Sequence, residues 1–170
     1  MRIVAGTARS RTILAPEGRD TRPTLDRVRE NLFNILQWHC RDAQVLDLFA
    51  GSGALALEAL SRGAAGAVLA DRDPRAVRIE RQNVENLGFT DRARVIQAEW
   101  QGTLRRLAAE NMTFQLVFLD PPYAMKDLSA VFEALRLGGM IDETSLIVVE
   151  HKAEDVPFVG DGFIVTDQRK

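Results

Sequence analysis

From residue 44 onward, short apolar runs alternate with segments of helix length, and most of the runs stop at an acid or a glycine. Val45–Phe49 leads into Ala50-Gly51-Ser52-Gly53, and a helix is expected from Ala54 to Arg62, closed by Gly63. Ala67–Ala70 ends at Asp71; Asp73 and Pro74 then open a helix as N-cap and first position, running to about Leu87 with Gly88 as its stop. Arg94–Ala98 is a third strand, followed by a helix over Thr103–Glu110. The run Leu116-Val117-Phe118-Leu119 is a fourth strand, reaching Asp120, with a helix from about Asp127 to Leu137 closed by Gly138-Gly139. Ser145–Glu150 and Phe163–Thr166 read as fifth and sixth strands. Strands separated by helices imply βαβ units and a parallel sheet, and near-continuous apolar strands agree, because such strands are covered on both faces. The expected architecture is a doubly wound, Rossmann-like α/β sheet, mostly parallel, spanning 25–170.

Residues 1–24 stand apart. They mix Gly, Arg, Thr and Pro, with short β-like pieces at Arg2–Ala5 and Thr12–Ala15, and read as an arm or small hairpin. Thr24 can cap a helix whose stripe Leu25, Val28, Leu32 and Ile35/Leu36 is expected to face the core. The chain of 170 residues carries a net charge of −2, yet residues 1–29 hold seven Arg against Glu17, Asp20 and Asp26, a net +4. A basic arm on an acidic body suggests a phosphate-facing end; a solvated Arg-rich terminus fits the composition equally well. Cys40 is the single cysteine, so an internal disulfide is excluded and a reducing, cytoplasmic location is expected. With only His39 and His151 besides, no metal-ligand cluster can be read. There is no signal-peptide core and no membrane-length apolar run.

Ligands of such sheets bind outside the carboxyl ends of the strands. Asp47 with Gly51, then Asp71, Glu99 and Asp120 all fall there. In Asp47-Leu48-Phe49-Ala50-Gly51-Ser52-Gly53 the glycines allow a tight turn and close approach of a ligand to the backbone. The loop lacks the lysine of a P-loop and the third glycine of a full dinucleotide fingerprint. Asp71, about 20 residues on, can accept from both hydroxyls of a ribose, which NAD and S-adenosylmethionine both offer. Glu99-Trp100 could meet an adenine, its amino group on the carboxylate or a main-chain group and its ring against Trp100 or Arg72; packing of Trp100 under a loop is the plain alternative.

Asp120-Pro121-Pro122-Tyr123 ends the fourth strand, because neither proline can donate to a ladder. An acid, a carbonyl and a ring in four residues can hold a flat molecule bearing an amine. The lone pair of an exocyclic base amine is delocalised and poorly nucleophilic. The Asp120 carboxylate and the Pro121 carbonyl could bind its two hydrogens and aim the nitrogen, while Tyr123 stacks on the ring. Asp47 and this corner together favour a methyl donor over NAD.

The Gly loop, Asp71 and Asp120–Tyr123 together resemble class I S-adenosylmethionine-dependent amino-methyltransferases. Arg2-Ile3-Val4-Ala5-Gly6, Thr21-Arg22-Pro23-Thr24, Arg27–Leu36, Asp47–Gly53 and Leu57–Gly63 resemble the RsmD-type bacterial 16S rRNA guanine-N2 methyltransferases over essentially the whole chain. The resemblance implies methyl transfer from S-adenosylmethionine, leaving S-adenosylhomocysteine, to N2 of one guanine in small-subunit rRNA, on an assembled or partly assembled subunit and without a metal. It makes Asp47, Phe49, Ala50, Gly51, Gly53, Asp71, Arg72, Glu99 and Trp100 cofactor-side residues and Asp120 to Tyr123 catalytic. Arg9, Arg11, Arg22 and Arg29 become RNA-side residues; for Arg22 and Arg29, helix-terminus salt bridges are the alternative. It further implies a last strand beyond Lys170, without which Phe163–Thr166 lacks its neighbour, and the expectation is then lower stability or pairing with another chain. A monomer is favoured. Other amino-methyltransferase targets (adenine N6 in RNA or DNA, a protein amide) and a non-enzymatic RNA-binding or assembly role are the competing readings.

Overall fold

The computed structural model describes residues 1–17, 23–152, 154 and 160–169, with the side chains of 23–25 also outside the description. Its elements are α1 (Pro23–Cys40), β1 (Gln44–Asp47), α2 (Ala54–Ser61), β2 (Gly66–Asp71), α3 (Pro74–Leu87), β3 (Ala93–Gln97), α4 (Trp100–Ala109), β4 (Leu116–Leu119), α5 (Ser129–Leu137) and β5 (Leu146–Val149). The strands form one sheet in the order β3-β2-β1-β4-β5, and every pairing is parallel. That is the doubly wound α/β arrangement expected from the alternation of strands and helices.

Side chains of successive strand residues point to opposite faces, and the core divides accordingly. Val45, Ala67, Leu69, Leu116 and Phe118 pack with Phe33, Leu36 and Cys40 of α1, with Leu57 and Leu60 of α2, and with Val84 and Leu87 of α3. Their neighbours Leu46, Val68, Ile96, Val117 and Leu119 pack with Leu104 and Leu107 of α4 and with Val131, Phe132 and Leu135 of α5. Each fully buried aliphatic or Phe side chain contributes about 1.5–3 kcal/mol. Helix α3 has the caps expected of it: the Asp73 carboxylate accepts the Arg75 N–H at 2.9 Å, Pro74 is the first residue, and Gly88 closes the helix at φ 74°.

Three expectations change. On α1 the inward stripe is Arg29, Phe33, Leu36 and Cys40, while Val28 and Ile35 are exposed. The helix is therefore turned so that a cation, rather than Val28, faces the body, and Leu25 lies outside the described side chains. Helix α4 begins at Trp100, three residues earlier than expected, with Glu99 in the N-cap position. Residues 163–166 form no strand. A strand exists only through a partner's N–H and C=O groups; among the described residues Phe163 is held by its ring, which meets Phe132 edge-on at 4.8 Å, while Ile164 and Val165 are exposed.

The N-terminal residues dock on the body. Ile3 donates to the Arg11 carbonyl and Ile13 to that of Met1, closing a small hairpin that buries Ile3, Ala8 and Ile13. Gly6 sits at φ 87°, where a Cβ would lie 1.8 Å from the Ser61 carbonyl oxygen, so no side chain fits. The Ser61 hydroxyl accepts from Ala8 N–H at 2.9 Å and donates to the Ala5 carbonyl at 2.6 Å. The anchor is Glu58, fully buried on α2. Its carboxylate accepts the N–H groups of Val4 (2.9 Å) and Ala5 (3.0 Å) and the Arg62 guanidinium (2.8 Å), with Arg29 at 3.7 Å. Farther along, Asn83 of α3 accepts from Leu14 N–H and donates to the carbonyls of Leu14 and Ser52, so the hairpin's exit is tied to the Gly loop. No helix among the described residues is long and apolar enough to cross a membrane.

Removing Glu58 leaves two backbone N–H groups and the Arg62 guanidinium without their acceptor, and Arg29 without its counter-charge at 3.7 Å. Glu58→Ala is expected to destabilise the fold by about 3–5 kcal/mol in urea titration. Amide exchange should quicken first at Val4 and Ala5; unchanged protection there would show that the hairpin is held by packing alone.

Candidate active site

β1 carries its neighbours' bonds past its own end. Leu48 donates to the Phe118 carbonyl at 3.2 Å and Ala50 to that of Ala70 at 2.9 Å, so the Gly loop is pinned to β4 on one side and β2 on the other. The turn itself runs through Gly51 (φ 60°) and Gly53 (φ 78°). A Cβ on Gly53 would lie 2.5 Å from the buried Leu69 side chain. Asp71, last in β2, accepts the Gly51 N–H at 3.0 Å with one oxygen and the Asp73 N–H at 2.9 Å with the other. It thus orients the loop and the start of α3 together. Each carboxylate oxygen has a second lone pair, enough for a ribose hydroxyl.

Asp47 is buried, with Oδ2 accepting the Ala56 N–H at 3.3 Å and Oδ1 making no hydrogen bond in the structure. Burial pushes its carboxyl up to about 8, against the Ala56 hydrogen bond, and the charges of Asp120 and Asp71 add to the rise. Glu80 on α3, which the sequence analysis did not single out, is fully buried with neither oxygen hydrogen-bonded. Its carboxyl is pushed up to about 9, by burial first and then by Asp47 and Asp71, against a small opposing effect of Arg81. A floor of acids around a glycine turn fits a ribose-bearing ligand that carries positive charge, because a cation there would relieve the desolvation of both carboxyls. Cys40 is no rival nucleophile: burial pushes its thiol up to about 11.

The other cofactor-side residues are less closely gathered. Phe49 and Ala50 are half-buried in the loop, each packed against a core on its own side of the sheet. Glu99 and Arg72 pair at 3.7 Å, both well exposed, an ion pair worth about 0–1 kcal/mol. Trp100, half-buried, packs against the α4–α5 core.

The Asp120 corner stands beside this loop. β4 ends at Leu119, and the Pro122 carbonyl accepts the Met125 N–H at 2.8 Å, turning the chain back. Asp120 and Pro121 are half-buried, Pro122 is exposed, and the Tyr123 ring is mostly in solvent with the Lys152 ammonium 4.6 Å from its centre. A shallow pocket opens between this corner and the segment after β5, lined by Pro121, Pro122, Tyr123, Met125, Lys126, Leu128, Glu150, His151 and Lys152. Glu150 adds a fifth acid to the rim, immediately after β5; the regular placing of acids after the first four strands was the signal for it. Every strand thus ends in, or within two residues of, a carboxylate: Asp47, Asp71, Glu99, Asp120 and Glu150.

Among the arginines expected on the RNA side, Arg9 is exposed. Arg11 donates to the carbonyls of Asn86 and Leu87 at the end of α3. Arg29 is 5% exposed and turned inward, donating to the Arg2 carbonyl and to Asp26 at 3.0 Å and facing Glu58. The desolvated guanidinium is engaged within the fold and presents no face to a phosphate, which matches its salt-bridge alternative. Arg22 lies outside the described residues.

A family model described as conserved hypothetical protein 95 matches residues 1–170. Ribosomal RNA small subunit methyltransferase D of Escherichia coli is 42% identical over 157 residues, covering 91% of this chain and 76% of its own length. The protein of the same name from Haemophilus influenzae is 32% identical over 160 residues, covering 94% and 82%. Among solved structures, Escherichia coli yhhF superposes with a TM-score of 0.86 at 37% identity, covering all of this chain and 91% of that one.

The buried acids give a pH test. In the unfolded chain Glu80 ionises near its ordinary 4.5, whereas folded it holds its proton to about 9. Between those values the folded state binds the extra proton, so stability falls as pH rises and levels off above the higher value. Glu80→Gln removes that dependence. Its thermal midpoint is expected to exceed the parent's by a margin that grows from about pH 4.5 to about pH 9; a margin constant with pH would mean that Glu80 is already ionised in the folded protein.

Proposed function

Because this chain belongs to the family described as conserved hypothetical protein 95 and has the class I methyltransferase fold, we propose that it is an S-adenosylmethionine-dependent methyltransferase. The acceptor is the exocyclic N2 amine of a guanine in bacterial small-subunit (16S) rRNA, and the setting is the cytoplasm. The observation that carries the chemistry is the position of Asp120–Tyr123 beside the Asp47–Gly53 loop on one rim, with a pocket on the corner's open side. The names of the curated relatives support RNA of the small subunit as the substrate class, and the guanine rests on the family resemblance.

The residues divide the work along the sheet. Asp71 would take the ribose hydroxyls while keeping its two backbone contacts, and the Gly51–Gly53 turn would let the ligand approach the main chain. Asp47 would face the ligand's positive charge with its unpartnered Oδ1. When bound, S-adenosylmethionine supplies a methyl group on a sulfonium, whose leaving group departs neutral and needs no general acid. Asp120 and the Pro121 carbonyl would accept the two hydrogens of the amine and turn its nitrogen toward the methyl carbon; as the N–C bond forms, one N–H bond would break and its proton pass to the Asp120 carboxylate. Two acceptors favour the pyramidal amine over the planar, delocalised one. Tyr123 stacks on the base. Catalysis on this account is positioning and electrostatic alignment. The base must leave its stack to reach the corner, and residues 1–24, an RNA-facing arm beside the methyltransferase domain of 25–170, hold phosphates near the mouth.

Labelled methyl transfer to unmodified small subunits and to naked rRNA, followed by nucleoside analysis, is expected to yield 2-methylguanosine; N6-methyladenosine instead would remove the guanine assignment and keep the mechanism. Asp120→Ala is expected to lower kcat at least about a hundredfold, the scale of a lost positioning group, with donor affinity by calorimetry largely retained. Undiminished biological function of that variant would favour the assembly-factor reading.

A further inference from the structure

We propose that Glu150 and Lys152 read the Watson–Crick edge of the incoming base and select guanine over the other amine-bearing bases, an inference that rests on the amino-methyl-transfer reading above. β4 and β5 leave the sheet side by side. Leu119 pairs with Val149, and the Glu150 N–H donates to the Leu119 carbonyl at 2.9 Å, which sets Glu150 next to Asp120 at the strand ends. Beyond it, His151 Nδ1 meets the Lys152 carbonyl at 2.7 Å, and the Lys152 ammonium lies 4.6 Å from the centre of the Tyr123 ring. Glu150, Lys152 and Tyr123 line one pocket, floored by Met125 and Leu128. Asp120 stands at the strand ends beside this pocket as one hydrogen-bond acceptor, and the pocket itself adds a second acceptor at Glu150 and a donor at Lys152.

Guanine presents the complement. Its edge runs from the N2 amine, a donor, through N1–H, a donor, to O6, an acceptor. With N2 on Asp120 and the Pro121 carbonyl, N1–H faces Glu150 and O6 faces Lys152. Adenine, with its N6 amine in the same place, would turn the bare N1 lone pair toward the Glu150 carboxylate and offer no oxygen to Lys152. Cytosine, presenting N4, would turn its N3 lone pair on the same carboxylate. Each wrong base leaves Glu150 against a lone pair, and an acceptor facing an acceptor is penalised more than a missing bond. Tyr123 is tolerant of any base, because every base has a π-face. Before the base arrives the ammonium occupies the ring face; an exposed cation–π contact is weak enough for a stacking base to displace it to the base edge.

The test uses the full-length protein and small subunits lacking the modification, with kcat/KM, donor affinity and nucleoside products measured together. Lys152→Met is expected to lose about tenfold or more in kcat/KM with donor affinity unchanged, and Lys152→Arg to restore most of it. Glu150→Gln can donate as well as accept, so it is expected to add N6-methyladenosine to the 2-methylguanosine product. Wild-type kcat/KM in both Lys152→Met and Glu150→Gln, with guanine the sole product, overturns the inference while leaving the guanine-N2 reading intact. A wild-type protein whose product is not 2-methylguanosine overturns that reading and this inference with it. Should Lys152→Met fail to bind the donor, the product spectrum of Glu150→Gln decides alone.

Discussion

Everything on the rim depends on β1 being bonded on both sides. Four residues long, it pairs with β2 through Gln44–Asp47 and with β4 through Val45–Asp47. The bonds continue past the strand, Leu48 to Phe118 and Ala50 to Ala70. A parallel sheet sends all strand ends the same way, so this double attachment fixes the distance between the loop that follows β1 and the corner that follows β4. The proposed donor and acceptor halves are thereby aligned by backbone hydrogen bonds, before any side chain is considered. Positioning chemistry needs that kind of support, since a misplacement on the order of 1 Å can lose about a hundredfold in rate.

Two kinds of buried carboxylate separate what holds the protein together from what it works with. Glu58 is as buried as Glu80. Glu58 accepts two backbone N–H groups and a guanidinium and faces a second; it behaves as a structural bolt between hairpin and body. Glu80 accepts none, and Asp47 keeps one oxygen empty. Buried polar groups in native proteins are nearly always satisfied, so these two carboxyls, each raised by burial and further by the charge of Asp71, are where the proposed donor would find acceptors not used by the fold. A cationic donor bound there would turn the same desolvation into affinity.

The strand–helix alternation and the caps of α3 were legible because they rest on local chemistry: Asp73, Pro74 and Gly88 act within a turn of where they stand. The α1 stripe was misjudged because hydrophobicity alone cannot show that Arg29 turns inward when Glu58, 29 residues away, awaits it. Glu80 was missed for the same reason in reverse. In Arg78-Ile79-Glu80-Arg81 it reads as one more surface charge, and only the packing of α3 against the Gly loop shows it buried. Phe163–Thr166 has the composition of a strand, but pairing is a property of the partner, and β-propensity largely measures fit to neighbours. The four rim acids were found because parallel topology makes position along a strand equivalent to position on the rim.

That rim poses a physical problem for a polyanionic substrate. Asp71, Glu99, Asp120 and Glu150 lie at or just beyond strand ends, and a phosphate brought among them would meet repulsion hardly screened over a Debye length of about 8 Å. The acids instead suit a cationic donor and the amine edge of a base, both of which present hydrogen or positive charge. An RNA acceptor is therefore compatible with this rim only if its base arrives without its backbone, as an extruded nucleotide does. The phosphates must then be held elsewhere, by cations outside the rim but close to it. Asn83 ties the hairpin's exit at Leu14 to Ser52 of the Gly loop, which places that exit on the side of the proposed donor loop. If the arm holds the phosphates as proposed, the opposite charges of arm and body would divide the labour: the body would repel the backbone, and that repulsion would favour the flipped base over the stacked one.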